Sequence, residues 1–175
     1  LRMFSVGILT ASDKGAQGLR IDESGPAIAA FMEHLGGVVH KTVIVPDERE
    51  LIADQLRRFC DEDCLDLILT TGGTGFSPRD LTPEATLDVI ERQIPGFTDL
   101  IRVKSFDKNP RALLSRAVSG IRGGSIIINL PGSPRGVREA LEIIGPSLLH
   151  GIEILKGTAS ECGGHDHDSG HHHRS

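Results

Sequence analysis

A three-layer α/β/α domain with a mostly parallel central sheet is the fold this 175-residue sequence predicts, on three observations. Short apolar runs of strand length alternate with segments of helical period along nearly the whole chain. The run LDLILTT, Leu65 to Thr71, is too short and too continuously apolar for a surface helix, and suits a central parallel strand covered on both faces. Two apolar runs leave through glycine, at TTGGTG and NLPGSPRG, and pass into helical sequence. In open α/β sheets ligands bind at such carboxyl ends of strands.

Taken in order, Phe4 to Ser12 (FSVGILTAS) reads as a buried strand. Gly25 and Pro26 open a helix over AIAAFMEHL, with proline in its favoured place at the start and glycines past the end. Val38 to Val45 is the second strand. Asp47 with Glu50 three residues on forms a capping box ahead of the amphipathic LIADQLRRF. Beyond the third strand, Thr82 caps the next helix and Pro83 occupies its first turn. Pro95 and Gly96 interrupt it. Helical pieces from Phe97 to Phe106 and around Ala112 to Ala117 lead to a hairpin, Ala117 to Ile121 and Ser125 to Leu130, joined by RGG. The last helix runs from Arg135 to about Gly145. The domain is expected to occupy residues 1–157, followed by a disordered His-rich tail over 158–175.

Composition narrows the classes of function. With 38% apolar and 25% charged residues the chain belongs among ordinary globular proteins. No apolar run reaches the roughly 18 residues that cross a bilayer, and LRMFSVGILTASDKG lacks the zones of a secretory signal. A cytoplasmic location without membrane attachment is therefore expected. Three cysteines, Cys60, Cys64 and Cys162, form no CxxC pair and are expected to stay reduced. A net charge of −5 and only six aromatic residues, all Phe, exclude a nucleic-acid surface. An anionic ligand must be met by local features, because the overall field repels it.

The two glycine loops supply such features. Glycine lets backbone N–H groups approach a ligand, and a helix N-terminus behind them adds positive potential. The same residues also make ordinary strand-to-helix turns. Neither common phosphate fingerprint is present: Pro78 stands where a dinucleotide motif wants its third glycine, and no GxxxxGK[ST] exists. Two carboxylates adjoin the loops. Asp80 either faces a ligand, pairs with Arg79 or caps the helix start, and Asp47 either faces a ligand or serves the capping box. If both approach a phosphate they suit Mg²⁺, with water and phosphate oxygens completing an octahedron. Ser12 and Asp13 end the first strand beside Lys14 and Arg20, and Ser115 and Arg116 stand within reach of a ligand. His34, His40 and His150 join no catalytic grouping.

The combination TTGGTGFSPRDLTPEAT and NLPGSPRGVREAL, preceded by SDKGAQGLRIDESG and VPDE, resembles the molybdopterin adenylyltransferases of MogA type and the G domain of gephyrin over roughly residues 4 to 157. The resemblance implies a three-layer α/β enzyme of molybdenum cofactor biosynthesis, assembled as a homotrimer. Such an enzyme transfers AMP from Mg-ATP to the terminal phosphate of molybdopterin and releases pyrophosphate. Carried over by motif, Asp47 and Asp80 would be the catalytic residues, acting through magnesium. Gly72, Gly73, Thr74 and Gly75 would hold the substrates, with Ser115, Pro131, Gly132, Ser133 and Pro134 on the opposite wall and Ser12 and Asp13 at the edge. A molybdenum-insertion protein would be the downstream partner. The alternative within the resemblance is a non-catalytic molybdopterin-binding or scaffold protein of MoaB type. Separately, His165, His167, His171, His172 and His173 in the tail, with Asp166, Asp168 and Cys162, have the composition of a weak Ni²⁺ or Zn²⁺ site.

Overall fold

A computed structural model of the chain describes residues 3–161. The tail histidines His165, His167, His171, His172 and His173 lie outside the described residues. The sheet holds β1 (Phe4–Ala11), β2 (Gly37–Val45), β3 (Leu67–Thr71), β4 (Arg92–Gln93), β5 (Ser119–Arg122) and β6 (Ser125–Leu130), in the order β2-β1-β3-β6-β5-β4. β2, β1, β3 and β6 are mutually parallel; β5 returns antiparallel to β6, and β4 pairs antiparallel with β5. The predicted mostly parallel sheet is therefore present.

Side-chain alternation builds the three layers. Leu67 and Leu69 join Val6, Ile8, Ile126 and Ile128 on one face, under α2 (Ser24–His34), α5 (Pro95–Phe106) and α6 (Pro134–Glu161). Ile68 joins Leu9 and Ile127 on the other, under α3 (Arg49–Arg57) and α4 (Thr82–Val89). Each fully buried aliphatic side chain contributes about 1.5–3 kcal/mol, so β3, buried along its whole length, anchors both cores.

Four local expectations are corrected. Asp47 does not cap α3: Glu48 occupies the cap position without a side-chain bond, and the Asp47 carboxylate is engaged elsewhere. Thr82 is the first residue of α4 and not its cap, and the piece expected around Ala112 is a 3-10 turn over Pro110–Leu114. The last helix does not stop at Gly145 but continues through Pro146. Leu148 and Ile152 prolong the buried stripe of Val137, Ala140, Leu141 and Ile144. Their burial, about 1.5–3 kcal/mol each, offsets the roughly 3 kcal/mol that proline costs inside a helix.

From β1 the chain crosses to β2 on one side and then returns past β1 to β3 on the other. This reversal opens a crevice at the carboxyl ends of β1 and β3; the TTGGTG loop leaves β3 there, and NLPGSPRG leaves the same end of the neighbouring parallel strand β6.

Candidate functional site

At the end of β1, the Ser12 hydroxyl accepts from Gly15 N–H at 2.9 Å and caps the short α1 (Asp13–Ala16). The next residue is tied to the end of β2. Asp13 N–H donates to Asp47 Oδ2 at 2.9 Å, and Asp47 N–H donates to Asp13 Oδ1 at 3.0 Å. Arg79 grips both oxygens of Asp13 at 2.7 Å. The guanidinium holds the Asp13 carboxyl below its ordinary range. Asp47 moves the other way: burial pushes it up, the Asp13 amide opposes this, and the charges of Asp13 and Asp80 push it further up. Asp13 and Asp47 are thus locked together at this corner, near enough to Asp80 for its charge to act on Asp47, and Asp13 holds Arg79 there.

The loop after β3 places the third carboxylate. Gly73 has φ +69°, and a Cβ on it would lie 2.4 Å from Thr82 Oγ1 and 3.3 Å from Asp47 Oδ1. Only glycine fits that close approach. Thr82 N–H donates to the Gly73 carbonyl at 3.1 Å, fastening the loop to the start of α4. Asp80 accepts from Ser77 N–H at 2.9 Å and faces Gly75, whose Cβ would stand 2.8 Å from Oδ2. Arg116 clasps the loop from below. Its N–H donates to the Thr74 carbonyl at 2.9 Å, Nε to the Gly75 carbonyl at 2.8 Å and Nη2 to the Asp80 carbonyl at 2.6 Å, while Nη1 pairs with Glu84.

The facing wall comes from the end of β6. Thr71 Oγ1 donates to the Pro131 carbonyl at 2.6 Å and Ser24 Oγ to the Gly132 carbonyl at 2.9 Å. Ser133 Oγ accepts from Gly136 N–H at 3.0 Å at the start of α6. Ser24 is itself set by Asp22, which accepts from Ser24 N–H and Gly25 N–H at 3.1 Å and from Thr10 Oγ1 at 2.9 Å. A Cβ on Gly132 would sit 3.6 Å from Gly72 Cα, so the two glycine loops touch.

Their contact is a ridge between two cavities. One, of about 370 Å³, is lined by Thr74, Gly75, Ser115, Pro131, Gly132 and Ser133, with Arg102 and Arg111 farther out. The other, of about 350 Å³, is lined by Ser12, Asp22, Asp47, Gly72, Gly73, Asp80, Gly132 and Pro134, with Arg20 at its mouth. The donors available to a cation are carboxylate oxygens, which are hard ligands. Among the described residues no three His, Cys, Asp or Glu gather as a cage. Two carboxylates in a cavity large enough for phosphate fit Mg²⁺, which keeps several waters and takes one or two carboxylates plus substrate oxygens.

The family described as "Probable molybdopterin binding domain" matches residues 7–150. The chain belongs to this family. A Helicobacter pylori (strain J99) protein named molybdopterin adenylyltransferase is 42% identical over 159 residues, covering 90% of each chain. Gephyrin of Dictyostelium discoideum is 40% identical over 160 residues, 86% of this chain and 22% of gephyrin. The crystal structure of the molybdopterin biosynthesis enzyme MoaB from Thermus thermophilus superposes with a TM-score of 0.84 at 47% identity, covering 88% of this chain and 97% of that one.

In this molybdopterin-binding domain Gly132 lines both cavities, Thr74, Gly75, Ser115, Pro131 and Ser133 line the first, and Gly72, Gly73 and Pro134 line the second with Asp47 and Asp80. Ser12 lines that cavity, whereas Asp13 lines neither and stands behind Asp47. Arg116 is turned away from a ligand role, its N–H groups spent on the loop and Glu84. Asp22 was missed from sequence. Its signal was an aspartate two residues before the helix-opening Ser24 and Gly25, the spacing of a side-chain turn.

Proposed function

We propose that this chain is a molybdopterin adenylyltransferase of molybdenum cofactor biosynthesis, joining AMP from ATP to the terminal phosphate of molybdopterin. The observation that carries the reading is the shared ridge: two cavities of similar size meet at Gly132 and the Gly72–Gly75 loop, with Asp47 and Asp80 lining the second. One cavity for each reactant brings their phosphates together across the glycines. The curated relatives named molybdopterin adenylyltransferase, 38–42% identical over most of the chain, support the same conclusion.

The chemistry asks little of the protein beyond placement and charge. A phosphate monoester is already anionic near neutral pH, so its oxygen attacks the α-phosphorus of ATP without a Ser, Cys or His nucleophile, and pyrophosphate leaves. Asp47 and Asp80 would hold Mg²⁺, which when bound neutralises phosphate oxygens and the departing pyrophosphate. Backbone N–H groups of the Gly72–Gly75 loop and the α6 N-terminus at Ser133 orient the anions, the positioning and electrostatic terms that dominate phosphoryl-type transfers. Ser12 orders the β1 end, and Ser115, Pro131, Gly132, Ser133 and Pro134 shape the far walls. Asp13 fixes Asp47 by their reciprocal bonds and holds Arg79 in place. A homotrimeric assembly and hand-over to a molybdenum-insertion protein belong to the same reading.

The test is pyrophosphate release. With Mg-ATP and molybdopterin together, one pyrophosphate per adenylylated product is expected, with none when either reactant is withheld. Molybdopterin binding without any release would overturn catalysis in favour of a non-catalytic binding role.

A further inference from the structure

Thr82, the first residue of α4, has no exposed surface, and its hydroxyl oxygen makes no hydrogen bond. The hydroxyls of Thr10, Thr70, Thr71 and Thr86 are engaged. Thr10 donates to Asp22, Thr71 to the Pro131 carbonyl and Thr86 to the Thr82 carbonyl, and Asn129 donates to both Thr70 and Thr86. Among the described residues two buried side-chain oxygens lack a hydrogen bond, Thr82 Oγ1 and Glu84 Oε2, and the hydroxyl is the donor of the two; a buried donor without an acceptor is costly and asks for a partner.

The site supplies one. Thr82 Oγ1 and Asp47 Oδ1 both lie within 3.3 Å of the point where a side chain of Gly73 would begin. Oδ2 of Asp47 is taken by the Asp13 amide, which leaves Oδ1 facing the gap. The gap exists only because residue 73 has no Cβ, and the loop is pinned to α4 by the Thr82 N–H bond to the Gly73 carbonyl. Thr82 does not line the second cavity itself; Gly73 and Asp47, which do, stand between.

We infer that the Thr82 hydroxyl is a positioning donor for Asp47: in the substrate-loaded protein it donates across the Gly73 gap to Oδ1 and sets the carboxylate's orientation toward the second cavity. The inference rests on Asp47 being a cation ligand. It makes Thr82 a determinant of cation affinity although it touches neither substrate nor cation.

Manganese, which reports on a magnesium site by electron paramagnetic resonance, is the probe, titrated into the full chain with a non-hydrolysable ATP analogue. Thr82→Val keeps the shape and removes the hydroxyl. It is expected to weaken Mn²⁺ binding about tenfold, the scale of a hydrogen bond to a charged group, with an unchanged or higher Tm because an unsatisfied buried hydroxyl is gone. Thr82→Ser keeps the hydroxyl and removes a buried methyl, so Tm falls while Mn²⁺ affinity stays within about twofold of wild type. A purely structural role cannot produce this crossed pattern. Wild-type Mn²⁺ affinity in Thr82→Val, or losses in both variants that follow Tm, would overturn the inference. Asp47→Asn is the reference: if it binds Mn²⁺ weakly while Thr82→Val binds normally, only the inference fails. Wild-type affinity in Asp47→Asn, or no binding by the unsubstituted chain, removes both it and the Asp47 reading.

Discussion

Replacing Gly73 with alanine should unfasten the ridge. The added Cβ would stand 2.4 Å from Thr82 Oγ1, inside any normal contact, on a backbone with φ +69°. Thr82 has nowhere to retreat, being fully buried with its N–H bonded to the Gly73 carbonyl. The left-handed conformation costs a non-glycine residue about 1–2 kcal/mol, and overpacking adds about 1–3 kcal/mol. Each kcal/mol moves Tm by about 2–4 °C in a chain of this size, so the expected loss is on the order of 10 °C. Gly123 gives the matched control, with φ +54° but nothing within 4 Å of a new Cβ. Gly123→Ala carries the conformational term alone, reduced by about 0.4–1 kcal/mol through the unfolded chain, and its Tm should fall by no more than about 6 °C. Thermal unfolding followed by circular dichroism measures both. Equal losses in the two variants would refute the claim that the ridge is held by contact between Gly73 and Thr82.

Two further perturbations follow from the same geometry. Arg116→Lys keeps the charge but loses the fork that spans the Gly75 and Asp80 carbonyls and Glu84; it should cost about 1–3 kcal/mol and raise KM for both substrates, read by denaturant unfolding and initial rates. Cys60, pushed up to about 11 by burial, ionises in the unfolded chain before it does in the fold. Stability linked to it is full below the ordinary value of 9.0 and declines as pH rises from there toward 11. Urea midpoints across that range should fall less steeply in Cys60→Ala, and peptide mapping after alkylation at pH about 8 should find exposed Cys64 modified and Cys60 protected.

The layers were legible because burial leaves a period in the sequence. LDLILTT could only be a central strand, and the glycine-rich exits marked the carboxyl ends where the ridge formed. What misled was local chemistry with two uses. Asp47 and Glu50 have capping-box spacing, yet the Asp13 amide, brought in from another strand, took the Asp47 carboxylate and left Glu48 at the cap. Gly145-Pro146 reads as a helix stop, and the apolar stripe at Leu148 and Ile152 overrode it. Arg116 looked like a free cation beside Ser115. The acceptors of its guanidinium lie between 32 and 41 residues away in the chain, a separation that spacing does not encode. Asp22 was passed over because its partners are backbone amides and Thr10, none of them chemically conspicuous.

The central claim is that Asp47 and Asp80 act from the second of two adjoining cavities, on charge and not on binding alone. The decisive measurement pairs single-turnover pyrophosphate release with ATP-analogue affinity in Asp47→Asn and Asp80→Asn. Burial pushes the Asp47 carboxyl up, so the neutral amide relieves a charge the fold disfavours, and Asp47→Asn should fold with a Tm no lower than wild type at pH 7. The account predicts turnover reduced by at least about a hundredfold in each variant, the scale of losing one electrostatic stabiliser, with analogue affinity changed far less. Wild-type turnover in both folded variants would contradict it.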